Sequence, residues 1–160
     1  MNNDSILLED IKKIDPFVFF IITRTYNKNT VCISANIDKN NNIIKSNPIN
    51  PYWIMFEKDL SGKMMEPLTT YENNFGYGYN LKDTNWPLFN ITIVATPSLV
   101  ITCNSETHEC YGFMDNIKYR ILKVNVVCSE SFFGLFPTVD FIDVHGLDKN
   151  GENIKFRLNS

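Results

Sequence analysis

Arginine is nearly absent: Arg24, Arg120 and Arg157 are the whole supply in a chain of 160 residues. Readers of nucleic acid cluster Arg and Lys to displace counterions and to fork onto phosphate and guanine. The longest basic run here is Lys12-Lys13, and 18 acidic against 15 basic residues leave a net charge of −3. Nucleic acid is therefore disfavoured as a main partner. Histidine is scarcer still, at positions 108 and 145, which leaves nucleophilic catalysis short of bases. No Gly-x-Ser-x-Gly elbow occurs, and Gly76-x-Gly78 lacks the third Gly and following helix of a phosphate cradle. Seven Gly and seven Pro are too few for collagen or low-complexity linkers. The most apolar run, Phe17–Ile22, falls far short of the roughly 20 residues a spanning helix needs. The start, MNNDSILLEDIKKID, has no basic n-region and no long apolar stretch, so it does not read as a signal peptide. These absences predict a cytoplasmic protein, with peripheral membrane association left open. Cys32, Cys103, Cys110 and Cys128 are then expected to be reduced thiols.

What is present is a core. Hydrophobic residues make up 44% of the chain, with 12 Phe, 7 Tyr and 2 Trp. A chain of this length buries roughly 70% of its unfolded surface and fits one domain. The expected organisation is a short helical extension over residues 1–16 and a single β domain over 17–160. The 21 Asn and 18 Ile, with alanine scarce, fit an AT-rich genome.

Ser5 to Lys13 predicts a short helix. Ser5 stands at the cap, Glu9 and Asp10 lie early, Lys12 and Lys13 lie late, and Asp15-Pro16 stops it. Leu7, Ile11 and Ile14 form its expected apolar edge. After Pro16 nearly everything reads as strand. Thr30–Ile37 alternates Val31, Ile33, Ala35 and Ile37 against Thr30, Cys32, Ser34 and Asn36. Tyr52–Glu57 predicts a strand. Glu66–Asn74 predicts a short helix capped by Thr69 or Thr70, and Leu88–Thr96 a strand turned by Pro97-Ser98. Leu99–Cys103 and Cys110–Met114 form hairpin arms. In Ile117–Cys128 the apolar phase passes from Ile117, Tyr119 and Ile121 to Leu122, Val124 and Val126, so a bulge is placed at Ile121-Leu122.

The final hairpin is predicted to its register. A three-residue Lys149-Asn150-Gly151 loop pairs Val144 with Phe156 and Ile142 with Leu158, and sets Asp143 opposite Arg157 on the outer face. Eight to ten short strands without strand–helix–strand alternation make the class all-β, an antiparallel β-sandwich or partly closed barrel, with a parallel sheet unexpected.

The chemistry is sparse. His145 and Asp143 share one strand face at i and i+2, without catalytic geometry. Cys103, His108 and Cys110 are ligand types at a hairpin tip, but structural zinc wants four ligands at short spacings. Whether the two cysteines pair or bind metal stays open. Phe75-Gly76-Tyr77-Gly78-Tyr79 reads either as a strand with glycines at close backbone approaches or as the aromatic wall of a groove.

The segments FFIITRTYNKNTVCISANID, NPINPYWIMFE, the Tyr-Gly stretch at 75–79 and VDFIDVHGLDKNGENIKFRL resemble a family catalogued as a domain of unknown function. Its members occur in bacterial secreted proteins and some protists. Arg24, Asn29, Asn36, Pro48, Trp53, Tyr77, Gly78 and Gly146 match its pattern over about residues 17–158. The chain departs from bacterial members in lacking a signal peptide. The resemblance implies domain boundaries and no activity.

The expected function is a non-catalytic binding or scaffold module that docks on other proteins, in a cortical or cytoskeletal assembly. The alternative is a small β-container for a lipid or other apolar ligand. No catalytic residue, cofactor or metal is predicted. The candidate partner-binding residues are Arg24, Trp53, Phe75, Tyr77, Tyr79 and His145. Of these, Arg24 shares the alternation phase of Val18, Phe20 and Ile22, so its guanidinium is expected to find a carboxylate or backbone carbonyls and to anchor a loop.

Overall fold

The computed structural model describes residues 5–129 and 138–159. A short helix, α1 (Leu8–Ile14), precedes β1 (Val18–Arg24), β2 (Thr30–Ala35), β3 (Ile49–Ile54) and β4 (Met65–Pro67). A second helix, α2 (Thr70–Phe75), leads to β5 (Tyr79–Asn85), β6 (Leu88–Ile93), β7 (Thr96–Asn104), β8 (Glu109–Met114) and β9 (Ile117–Ser129). The chain closes with β10 (Thr138–Leu147) and β11 (Asn153–Asn159). The fold is all-β: one curled sheet forms a half-barrel, in the order β4-β3-β2-β1-β9-β8-β7-β6-β5, with β10 on the free edge of β9 and β11 beyond it.

One pairing departs from the antiparallel expectation: β1 runs parallel to β9, with Ile21 beside Lys123 and Arg24 beside Val126. The long β9 makes this possible. Its first residues pair with β8 (Tyr111↔Arg120, Met114↔Ile117), its middle takes β1 on the same edge, and β10 runs along the other. The bulge expected at Ile121-Leu122 is present: Gly146 opposes Ile121 while His145 opposes Lys123, leaving Leu122 extra. Gly146 is required there, since a Cβ would sit 2.2 Å from the Arg120 carbonyl oxygen. The final hairpin has the predicted register, Val144↔Phe156, Asp143↔Arg157 and Ile142↔Leu158, with Gly151 at φ 78°.

The inner face holds the main core. Phe20, Ile22, Val31, Ile33 and Trp53 from β1–β3 meet Phe89, Ile91, Ile101 and Ile121 from the other wall, and Phe19 meets Phe89 edge-on at 5.7 Å. The outer face of β1–β3 is also buried. There α1 lays Leu8 and Ile11 over Val18, Ile21, Cys32, Tyr52 and Ile54. Val18 is outward rather than in phase with Phe20 because the β1–β2 ladder shifts at Phe19. Asp15, ending α1, accepts hydrogen bonds from the Ser34 hydroxyl (2.8 Å) and the Tyr52 phenol (2.7 Å), pinning the helix to the sheet.

Other local expectations shift. Ser5 does not cap α1; Leu7 holds the cap position with no side-chain bond. The buried edge is Leu8 and Ile11, while Leu7 at the cap and Ile14 at the last helical position are exposed, because the sheet meets the Leu8/Ile11 stripe. The turn after β6 is Val94-Ala95, and Pro97 and Ser98 lie within β7. Residues 75–79 are not one strand: Phe75 ends α2, and Tyr79 opens β5.

Candidate functional site

The inward phase of β1 ends at Arg24, the last residue of the strand. Its Cζ lies 4.5 Å from the Trp53 ring centroid and 4.6 Å from that of Tyr26. One terminal nitrogen donates to the Tyr26 hydroxyl, and the other donates to Asn27 Oδ1 at 2.9 Å. Its Nε is buried without a hydrogen-bond partner. The expected carboxylate is replaced by two aromatic faces, a phenol and an amide. A diffuse guanidinium charge is well held by ring quadrupoles. The loop-anchoring part of the expectation stands: Asn27 also accepts from the Asn29 backbone N–H, and Asn29 Oδ1 accepts from that of Glu57. The 25–29 turn is thereby tied to the segment that follows β3.

Trp53 is buried on β3 and meets Tyr77 edge-on at 5.4 Å. Its indole N–H donates to Glu72 Oε1 at 3.2 Å. Glu72 also closes a capping box: its carboxylate accepts from the Thr69 N–H, and the Thr69 hydroxyl accepts from the Glu72 N–H. The Thr-x-x-Glu spacing that fixes α2 therefore also mounts α2 on Trp53. Gly78 lets the chain return beneath α2, where a Cβ would lie 1.9 Å from the Asn73 carbonyl oxygen.

The resulting cluster is Arg24, Tyr26, Trp53, Glu72 and Tyr77. Burial pushes the Tyr77 phenol up to about 12, with Arg24 pulling the other way. Burial also raises the nearby Cys128 thiol, again against Arg24. Both groups are held protonated at neutral pH. The cluster is thus a platform of aromatic rings around one guanidinium.

Above the platform, α2 is exposed. Tyr71 and Phe75 are 73% and 67% accessible and lie 5.1 Å apart, ring to ring. Phe75 therefore points to solvent rather than lining a wall with Trp53 and Tyr77. Tyr79 is half-buried against the core and its hydroxyl donates to Asn47 Oδ1.

His145 is elsewhere. Register sets Arg24 beside Val126 and Ile142 on the inner face, and His145 beside Lys123 and Lys155 on the outer face. That outer face forms the floor of a groove of about 750 Å³, walled by Leu8, Glu9 and Lys12 of α1 and by Leu7 at its cap. Asp143, expected on an open outer surface, is buried there and paired with Arg157 at 3.0 Å.

Cys103 and Cys110 face each other across β7 and β8 as buried free thiols. Cys110 Sγ donates to the Ile121 carbonyl at 3.4 Å, and burial raises both thiols. His108 stacks edge-on against Phe17 and Phe19. Among the described residues no three of His, Cys, Asp or Glu gather closely enough to hold a metal.

Sequence reasoning thus named Arg24, Trp53 and Tyr77, which meet. It separated none of them from His145, which lies apart, and it missed Tyr26, Tyr71 and Glu72. The Thr69/Glu72 capping-box spacing was the legible signal for Glu72. Comparison with curated proteins and with solved structures gives no match. The family model of the Domain of unknown function (DUF4833) matches residues 20–157, so the chain belongs to that family.

Proposed function

We propose that this domain is a non-catalytic docking module that engages another protein through the Tyr71–Phe75 pair of α2. The observation that carries the reading is two large aromatic side chains, largely solvent-exposed, on a helix whose cap and mounting are fixed by Glu72. Interface energy concentrates in such aromatic anchors, and a preorganised mount reduces the ordering cost of binding. The separation of Arg24 from His145 weighs against catalysis, and Phe75 facing solvent weighs against an apolar container. Four reduced cysteines fit a cytoplasmic setting, with a cortical or cytoskeletal assembly as the place of docking.

The test is affinity capture from native cells with mass spectrometry, comparing wild type with the double variant Tyr71→Ser/Phe75→Ser. Both positions are exposed, so the variant should melt like the wild type. It should retrieve specific partners at less than about a tenth of the wild-type level. Equal retrieval of the same partners would overturn the reading.

A further inference from the structure

A sheet edge leaves a row of backbone N–H and C=O groups open, so each edge must be blocked or used. The described sheet has three. β4 is three residues long and ends in Pro67. β5 is interrupted by a register shift between Leu81 and Asp83. β11 has seven residues, no proline and unbroken register with β10, its one strand partner among the described residues. Its inner row, Ile154, Phe156 and Leu158, is half-buried, and its outer row, Asn153, Lys155, Arg157 and Asn159, is exposed.

We infer that the β11 edge accepts an extended acidic segment of a partner protein. The added strand sets apolar side chains beside Ile154, Phe156 and Leu158, and an Asp or Glu side chain beside Lys155, while Arg157 keeps Asp143 at 3.0 Å. Charge selects this occupant. The groove under the outer row is lined by Lys12, Arg120, Lys123 and Lys155 against Glu9 and Asp143, in a chain whose net charge is −3. Lys155 stands at its open side, one strand beyond His145. A second copy of this chain fits poorly. Antiparallel pairing centred on Phe156 would set Lys155 opposite Arg157 of the other copy, and the reverse, placing like charges face to face. The same basic side chains that block self-pairing favour an acidic strand.

The probe is a short fluorescein-labelled peptide alternating Val and Glu, titrated with the full chain and read by anisotropy. Binding is expected, with amide shift changes along β11 in NMR spectra. Lys155→Glu, at an exposed position, should weaken it by about fivefold or more. A peptide alternating Val and Lys, and the Val/Glu peptide with N-methylated backbone, should not bind. No binding of the Val/Glu peptide would overturn the inference. So would equal binding by either control peptide or by Lys155→Glu. A dimer through β11 in sedimentation would also overturn it. Tyr71→Ser/Phe75→Ser should leave peptide binding unchanged, which keeps this surface distinct from α2.

Discussion

Strands β1 and β11 each have seven residues, yet six of the seven in β1 are buried while none in β11 is. The difference lies in what covers each face. β1 has the core on its inner side and α1 on its outer side. β11 has the core on one side only, and its outer row faces water. The wall formed by β1–β3 is therefore a three-layer structure, α1 over sheet over core, whereas the far wall is a single sheet over the core. Stability should be concentrated in the first, and the second leaves the open β11 edge.

The largest expected effect is at Trp53, which belongs to the covered wall and supports the Arg24 platform. Trp53→Ala should cost about 3–5 kcal/mol in chemical denaturation. A smaller cost would mean that the platform does not depend on the wall beneath it. Next is Asp15→Ala, which leaves the Ser34 and Tyr52 hydroxyls without their acceptor. It should cost about 1–3 kcal/mol and increase proteolysis near α1. Unchanged protection there would show that apolar contact alone holds the outer layer. Arg24→Met keeps the stem and removes the fork. It should cost about 1–2 kcal/mol, through the lost ring contacts and hydrogen bonds, and should speed amide exchange in the 25–29 turn. Exchange at the wild-type rate would make Arg24 an ordinary strand end.

The smallest effect concerns pH. His108 bridges the two walls, stacked on Phe17 and Phe19 of the β1 side from the β7–β8 tip. Burial first, and then the Lys12 charge, lower its pKa below the ordinary 6.5. The unfolded chain therefore binds the proton more readily. Stability is full above about pH 6.5 and declines as pH falls through the interval down to the folded value. His108→Gln should flatten that decline in melting curves taken across the interval. An unchanged slope would assign the pH dependence to other groups.

Legibility in the sequence followed the same division. The β10–β11 register was readable because the three-residue Lys149-Asn150-Gly151 loop puts the apolar residues of both strands on one face, which a two-residue Asn-Gly loop would not. The bulge at Ile121-Leu122 was readable because a one-residue slip inverts the apolar phase. β5 was not, since its residues are mostly exposed and carry no periodic signal. The outward turn of Val18 and the parallel β1–β9 pairing were also hidden. The first depends on a ladder shift inside a continuous apolar run. The second depends on a long-range join with no crossover helix to announce it. At the site, Arg24, Trp53 and Tyr77 stood out by residue type. Phe75 stood out too, but as part of a wall with Tyr77; its pairing with Tyr71 and its exposure did not, because exposure of an aromatic is set by how α2 is mounted rather than by local pattern.

The covered-wall account is tested most directly by four alanine variants measured side by side in urea. Phe20 and Ile21 are buried on opposite faces of β1, whereas on β7 Ile101 is buried and Val100 is 49% accessible. Phe20→Ala, Ile21→Ala and Ile101→Ala should each cost about 2–5 kcal/mol, and Val100→Ala less than about 0.5 kcal/mol. If Ile21→Ala costs as little as Val100→Ala, the outer layer contributes nothing and the contrast between the two walls is contradicted.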